Sequence, residues 1–576
     1  MLQKLVLILL LFSLFFKPTL FQYCGDITVS EAKTLIESDP SLTILDVRNQ
    51  SEYDSGHIKN AKLIPLHQLE SKLGELDKSS KILVYCRTGS RSATASQILE
   101  EAGFLCVYNM IGGVTAWSSL GYDVYVKFPS IQEAINSATA GTTLFVSSGT
   151  YREHLIINKT ISLIGENRTQ TIIDGNFTGN VVNITAPNSR LEGFTIQNSG
   201  RQSLNSGIYI AEGANSSNVS SNIVANNYVG ILVYKSSDCI IKDNVVHSNL
   251  DDGVRLKNSH ANTISRNTID ANVFYGVNLH DSNNNIISDN SVSNNIYGFC
   301  VNRNSNGNVA TRNSFFSNSY LGVGIYWYSD NNVISYNIVS NNSHGADLFW
   351  GSASNLICAN TFSHNDYGLW LDHSDNTFIF HNNFINNKQQ AYSSDATNFL
   401  DNGFEGNYWS SFSGTDENRD GIGDTNYTAA PSNIDNCPLM GAFSSFNISA
   451  TYSIDVISNS TINNLQFSAQ QSIIKMHVSN TSTSQLFGFC RVQIPYSIMN
   501  QTYHVTINNE EPYFANYTLR DNGNNRWIYF CYEHSTLEAT ITYEYQQWML
   551  LLLFAVATLL SSTVYRRRHA ARFGYS

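Results

Sequence analysis

Residues 285–301 read NIISDNSVSNNIYGFCV, short apolar alternations broken by asparagine turns and closing on a glycine followed by a second alternation. The unit recurs along the chain. Its glycine returns at Gly207, Gly230, Gly253, Gly276, Gly298, Gly322, Gly345 and Gly368, in steps of 22 to 24 residues. An asparagine keeps pace at Asn244, Asn267, Asn290, Asn313, Asn337, Asn360 and Asn382. A unit this short cannot bury an apolar face alone, so neighbouring units must stack to make a core. The expected product is a right-handed parallel β-helix over 128–443, its turn asparagines aligned into hydrogen-bonded ladders. Residues one and three past each glycine, such as Ile231 and Val233 or Leu369 and Leu371, are expected inside. The pleat then sends residues two and four past it outward.

That outward stripe carries Arg255, Lys257, Asn278, His280, Asn302, Tyr326, Asp347, Phe349, Trp370 and Asp372, with Trp327 and Trp350 beside it. Aromatic, carboxylate and amide groups on a flat sheet suit sugar rings, so a polysaccharide is one candidate ligand and a plain solvated face is the alternative. Cleavage would need Asp347 and Asp372 as the carboxylates, with Arg255 or Lys257 as a base. At the end of the repeats, Asp416, Asn418, Asp420 and Asp424 alternate around Gly421 like the first half of a calcium loop. Tyr427 stands where such a loop needs its bidentate glutamate, so a polar capping turn competes with calcium.

Before the repeats, residues 27–127 alternate short apolar strands with helical stretches: Leu42 to Val47, Leu66 to Leu76, Lys81 to Tyr85, Ser92 to Ala102 and Leu105 to Asn109. That alternation predicts a parallel α/β sheet with its chemistry at the strands' carboxyl ends. The strand ending at Tyr85 runs into Cys86-Arg87-Thr88-Gly89-Ser90-Arg91 and then a helix. A thiol there faces successive backbone N–H groups and the positive end of the helix dipole, which favour the thiolate, the nucleophilic form. Gly89 permits the tight curl and Arg91 adds positive charge. Cys106 sits in an apolar run and is expected in the core, with a resolving thiol as the other reading.

The six-residue loop, the entry Leu45-Asp46-Val47-Arg48 with Glu52-Tyr53 and Gly56-His57-Ile58, and the closing Gly112-Gly113 with Trp117 resemble the rhodanese family. The resemblance implies transfer of sulfane sulfur through a Cys86 persulfide, from a donor such as thiosulfate to a thiol or cyanide, with no cofactor required. Cys86 and Arg91 would be catalytic, Arg87 to Ser90 the rest of the loop, and Asp46, Arg48 and His57 structural. Related phosphatases carry one more residue between cysteine and arginine, which favours sulfur chemistry here. An inactive rhodanese fold used for binding is the competing reading. The repeats, with their entry Ile131-Gln-Glu-Ala-Ile135 and exit Gly406-Asn-Tyr-Trp-Ser410, resemble the NosD-like β-helix family. That family implies a maturation factor for a metalloprotein as a further alternative, although His280, His344, His364, His373 and His381 have no tight ligand spacing.

Both chain ends point to a membrane. Lys4 precedes the apolar run Leu5 to Phe16, the layout of a signal peptide or signal anchor over 1–24. Trp548 to Val564 is an uncharged apolar run followed by Arg566, Arg567, Arg568 and Arg572. It predicts one transmembrane helix over 548–565 with a cytoplasmic tail over 566–576, and therefore a chain whose bulk lies outside the cell membrane. Asn-x-Ser/Thr sequons such as Asn158 and Asn167 agree with an exposed glycoprotein. Residues 446–546 read as an antiparallel β-sandwich, in which Cys490 and Cys531 are the best disulfide candidates among the 9 cysteines. A net charge of -12 excludes a phosphate-neutralising surface, and with it nucleic acid.

Overall fold

A computed structural model of the 576-residue chain describes residues 24–449, 451–499, 503–534, 537–543, 556 and 558–562. In sequence it divides between Phe274 and Tyr275 into two compact units.

The first unit opens with a five-stranded parallel sheet, ordered Asp26–Ile27, Cys106–Met110, Lys81–Tyr85, Thr43–Asp46, Lys62–Leu63. A strand buried on both faces must be apolar throughout, and Lys81–Tyr85 shows how the faces divide. Ile82, Val84 and Cys86 pack with Leu45, Ala95 and Leu99, whereas Leu83 and Tyr85 pack with Val29, Val114 and Trp117. The period of two thus delivers Cys86 to the face covered by the helix Ser90–Glu101. Cys106 is not the free core thiol expected of it, because it is disulfide-bonded to Cys24 and so ties the chain ahead of the first strand to the strand Cys106–Met110.

From Thr143 onward the first unit is a β-solenoid of three parallel sheets, one strand per coil in each. Coils stack in register, Ile208 on Ile231 and Ile231 on Val254. In the second unit Val277, Phe299, Val323, Ala346 and Leu369 form one such column and are essentially inaccessible to solvent. The recurring glycine is a spacing requirement. A Cβ on Gly298 would lie 2.6 Å from the Gly322 carbonyl oxygen and 2.9 Å from the Asn318 amide.

Along one row, buried turn asparagines donate twice to the next coil. Asn313 sends its backbone N–H (2.9 Å) and its side-chain Nδ2 (3.0 Å) to Oδ1 of Asn337, and Asn337 does the same to Asn360. The row continues through Asn382 to Asn407, whose backbone N–H donates to Asp435 Oδ2 at 2.8 Å. Asp435 also accepts from Trp409 Nε1 at 2.8 Å, and burial pushes its carboxyl up to about 6. Trp409 in turn stacks on Phe384, centroids 4.2 Å apart, and closes the core column.

Beyond the coils lie two antiparallel sheets. One holds Ala442–Asn447, Ser453–Ser458, Phe487–Pro495, Asn525–Glu533 and Phe514–Asp521, and the other Thr461–Ser468, Ile473–Ser479, Leu537–Tyr543 and Tyr503–Ile507. They share one core, with Val492 and Phe530 from the first and Ile474 and Val505 from the second. Cys490 and Cys531 are both free and form no disulfide. Their strands pair Cys490 with Phe530 and Phe489 with Cys531, so the two thiols belong to separate core clusters on opposite faces of the sheet. Among the described residues no helix is long and apolar enough to cross a membrane. The leader over 1–23, the tail over 566–576 and, apart from 556 and 558–562, the span expected over 548–565 lie outside the described residues.

Two buried carboxylates pin the appended domains to the coils. Within the first unit, Glu166 accepts from His57 Nε2 at 3.0 Å and from the backbone of Asn60 and Ser148, both at 2.9 Å. Within the second, Glu405 binds His381 Nε2 at 2.9 Å and Arg491 Nε at 2.8 Å. Burial opposes ionisation of both, but these partners outweigh it and hold each carboxyl at about 2 against an ordinary 4.5. A depressed folded-state value means stability that is full above the ordinary value and is lost as pH falls through the folded one. Acid titration of the chain should therefore show loss of stability between pH 4.5 and about 2, and Glu166→Gln should flatten that loss for the first domain. Separately, Asn337→Ala strands the donors of Asn313 and should cost about 2–4 kcal/mol in denaturant titration.

Candidate functional site

Three kinds of constraint shape the loop after Lys81–Tyr85. First, the strand end is clamped. Arg48 binds Asp46 through Nε and Nη2, the latter at 2.6 Å, and reaches the Gly56 carbonyl at 2.8 Å, all buried. Its guanidinium lies over Tyr85, whose hydroxyl accepts from the Ile58 N–H at 3.1 Å. Second, Gly89 takes φ +102°, open to glycine, and starts the helix Ser90–Glu101. Third, the Gly112-Gly113 turn presses against the loop from behind. Val114 and Thr115 donate to the carbonyls of Cys86 and Arg87, and a Cβ on Gly113 would sit 2.3 Å from the Cys86 oxygen.

Inside this frame Cys86 is 1% exposed, and its Sγ accepts from the Gly89 N–H at 3.2 Å and the Ser92 hydroxyl at 3.6 Å. Burial raises the thiol's pKa. The Ser92 hydroxyl and the backbone N–H groups of Ser92, Thr88 and Gly89 together outweigh it, so the net shift is downward. Arg91 spends its hydrogen bonds on Glu52, at 2.8 and 2.7 Å, and acts on Cys86 only as a nearby positive charge. Arg87, Thr88 and Ser90 surround the mouth, all three exposed. Beside the loop lies a cavity of about 400 Å³ lined by Arg48, Glu52, Gly56, Arg87 and Thr115. His57 is wholly buried, stacked on Tyr53 with centroids 3.6 Å apart, and faces Glu166 rather than the thiol.

Ser92 and Glu166 escape a reading of the sequence. A serine six residues past the cysteine carries no signal until the helix turn brings it under the sulfur. Glu166 lies 109 residues from its histidine.

The outward stripe of the coils is not the flat, solvated face expected. Asn278, Asn302, Tyr326 and Asp347 are buried, because large rings on neighbouring coils lean over the small residues between them. Asp347 accepts from Tyr326 Oη at 3.2 Å and pairs with His344 Nδ1 at 2.8 Å. Asp372 binds His373. Arg255 is locked by Asp251 and Asp252, at 2.7 and 2.5 Å, which raises its pKa and leaves it no role as a base. Lys257 ends the strand Val254–Lys257. Trp327 and Trp350 stand half-exposed at left-handed turn positions.

The acidic loop closes on itself. Asp416 accepts from the backbone of Asp420 and Gly421, both at 2.9 Å, Asp424 from the Glu417 N–H at 2.7 Å, and Asn418 donates to Asp420. Among the described residues no three His, Cys, Asp or Glu side chains gather to hold a metal ion. Of the five candidate histidines, four pair off with different carboxylates, His280 with Asp281, His344 with Asp347, His373 with Asp372 and His381 with Glu405. Among the described residues, that arrangement offers no shared ligand set for a metal ion.

Residues 28–120 match the family model described as Rhodanese-like domain, and residues 135–323 and 316–414 match Periplasmic copper-binding protein (NosD). The chain is 38% identical over 78 residues to thiosulfate sulfurtransferase GlpE of Coxiella burnetii, covering 14% of this chain and 73% of that relative. It is 36% identical over 93 residues to the Bacillus subtilis protein YrkF, covering 16% of this chain and 50% of YrkF, so it spans half that relative's length. A rhodanese-related protein of known structure from Thermoplasma volcanium is 32% identical, with 18% of this chain and 100% of that one covered and a TM-score of 0.17.

Alkylation of the Cys86 peptide, followed by mass spectrometry against pH, should give a midpoint below the ordinary thiol range. Ser92→Ala should move that midpoint upward.

Proposed function

The chain belongs to the rhodanese family, with a NosD-like β-solenoid behind its sulfurtransferase domain, and from that premise we propose that it moves sulfane sulfur through a Cys86 persulfide on the outer side of a cell membrane. The observation that carries the reading is the cradle of N–H groups and hydroxyl around a buried thiol of lowered pKa. In the forward step the Cys86 thiolate attacks the outer sulfur of thiosulfate. A new sulfur–sulfur bond forms on Cys86, the bond within thiosulfate breaks, and sulfite leaves with the electron pair. An acceptor thiolate or cyanide then attacks the terminal persulfide sulfur and restores the Cys86 thiolate.

Exposed Arg87 on the neighbouring cavity gives a dianionic donor an electrostatic landing place, while Arg48 is spent on Asp46. Loop N–H groups stabilise the persulfide anion as they do the thiolate. Arg91, steered by Glu52, keeps the mouth positive. The Cys24–Cys106 disulfide supports an oxidising, extracytoplasmic compartment. On this reading the 1–24 leader and the 548–565 span deliver and anchor the chain, the two antiparallel sheets act as a sandwich-like spacer, and the solenoid serves as the scaffold that carries the sulfurtransferase.

Incubating the detergent-solubilised full chain with thiosulfate should add one sulfur atom to the Cys86 peptide and release sulfite. Cys86→Ala should lower sulfur transfer by about a thousandfold or more. Arg91→Ala, which leaves Glu52 unpaired at the mouth, should lower the rate without abolishing it. Full transfer by Cys86→Ala, or thiosulfate left intact by the wild-type chain, would overturn the proposal.

A further inference from the structure

The buried stripe on the second unit's coils has a floor and two walls. Two residues past each recurring glycine, in lateral register, stand Asn278, Cys300, Gly324, Asp347 and Trp370. Cys300 and Gly324 are the smallest of the row, so the sheet surface sinks there. On one side rise Tyr275, Tyr297 and Tyr320, with successive centroids 4.8 and 5.3 Å apart. On the other rise Tyr326, Trp327 and Phe349, Tyr326 lying 5.9 Å from Trp327 and 6.0 Å from Phe349. Trp370 closes one end, held by His344 on one side and by Tyr392 on the other at 4.8 and 4.0 Å. The cleft between them, open to solvent, is about 450 Å³.

Its chemistry is one-sided. Of the nine residues that line it, seven are aromatic and the other two are Asp347 and Asp372, and the nearest lysine or arginine over these rings, among the described residues, is Arg303, whose guanidinium lies 5.8 Å over Trp327 from outside the lining. A sugar in such a site would leave its ring of hydroxyls short of amide and guanidinium partners. A primary ammonium would lose its water and would have to share carboxylate oxygens that Tyr326, His344 and His373 already engage. A fully methylated ammonium has no N–H to satisfy. It is attracted to ring faces within about 6 Å and is neutralised by a carboxylate at the wall. Burial raises the pKa of Asp347, and a cation beside it would relieve that penalty.

We infer that this cleft binds a quaternary ammonium group of about the size of choline, as a second site independent of Cys86. Tyr326, Trp327 and Phe349 supply the faces, Trp370, covered on both faces, presents its edge at the end of the cleft, and Asp347 with Asp372 supply the charge. The group could arrive on a soluble molecule or on a lipid head group, since the cleft reads only the methylated cation.

The test is calorimetric titration of the solubilised full chain with choline chloride, with its uncharged isostere 3,3-dimethylbutan-1-ol, and with neutral oligosaccharides, alongside flotation on vesicles bearing phosphocholine or phosphoglycerol head groups. Choline should bind about tenfold or more tightly than the isostere. A preference for phosphocholine vesicles over free choline assigns the source to lipid, and the reverse to a soluble ligand. Asp347→Asn, nearly isosteric, should weaken choline about tenfold while leaving the isostere unchanged. Trp327→Ala, at a side chain 41% exposed, should weaken both, with melting curves reporting that each variant is folded. Equal binding of choline and isostere, preferential binding of an oligosaccharide, or choline affinity unchanged in folded Asp347→Asn would overturn the inference. None of these outcomes depends on whether Cys86 carries sulfur.

Discussion

A buried asparagine that donates twice to the asparagine one coil on can do so only if every coil has the same register, and the rest of the solenoid depends on that demand. Left unmade, each of those amide bonds would cost the desolvation of a buried donor. Kept, they fix the glycine row opposite them, because a backbone that approaches the next coil to 2.6 Å of a would-be Cβ admits no side chain. They also fix which residues meet laterally. The column Val277, Phe299, Val323, Ala346 and Leu369 and the outward row beside it are two readings of one register. The row ends where Asp435 replaces an asparagine as acceptor.

Rigid stacks need defined ends, and both appended domains are attached through a buried carboxylate. Glu166 takes an imidazole from the first domain and Glu405 a guanidinium from the last sheets. Removing one partner from such a group leaves an unpaired charge out of water, which makes these junctions specific rather than merely adhesive. In the first domain the same economy serves reactivity. The Asp46–Arg48 pair, Tyr85 and the Gly112-Gly113 turn hold the backbone of the Cys86 loop so that its N–H groups converge on sulfur without further adjustment. Preorganised donors of this kind act at no reorganisation cost when charge appears.

The cysteine loop and the repeat were legible because each is a local pattern. A strand, a cysteine and a helix start are contiguous in sequence, and a 22 to 24-residue period writes the stacking into glycine and asparagine positions. Alternation alone placed Ile231, Val233 and their counterparts inside. The same alternation was a poor guide to the outward row. It predicts direction from the sheet but not what neighbouring rings do afterwards, and Tyr326, folded over Gly324 toward Asp347, turned an exposed stripe into a cleft. The disulfide partners show the same limit. Cys490 and Cys531 share a strand pair yet sit on opposite faces, while Cys24 and Cys106, 82 residues apart, are brought together by the edge of a parallel sheet.

By itself, then, the sequence determined the features that spacing along the chain dictates: an α/β domain with a thiol at a helix mouth, a stack of β coils, a strand-rich last domain and apolar runs at both ends. Tertiary structure alone decided the rest: Ser92 under the sulfur, Glu52 on Arg91, Glu166 on His57, and two walls of rings around Asp347. The reason is physical. Backbone periodicity is short-ranged and repeats in the sequence, whereas the partner of a buried charge or ring is set by which surfaces pack, and packing brings together residues that no local pattern relates.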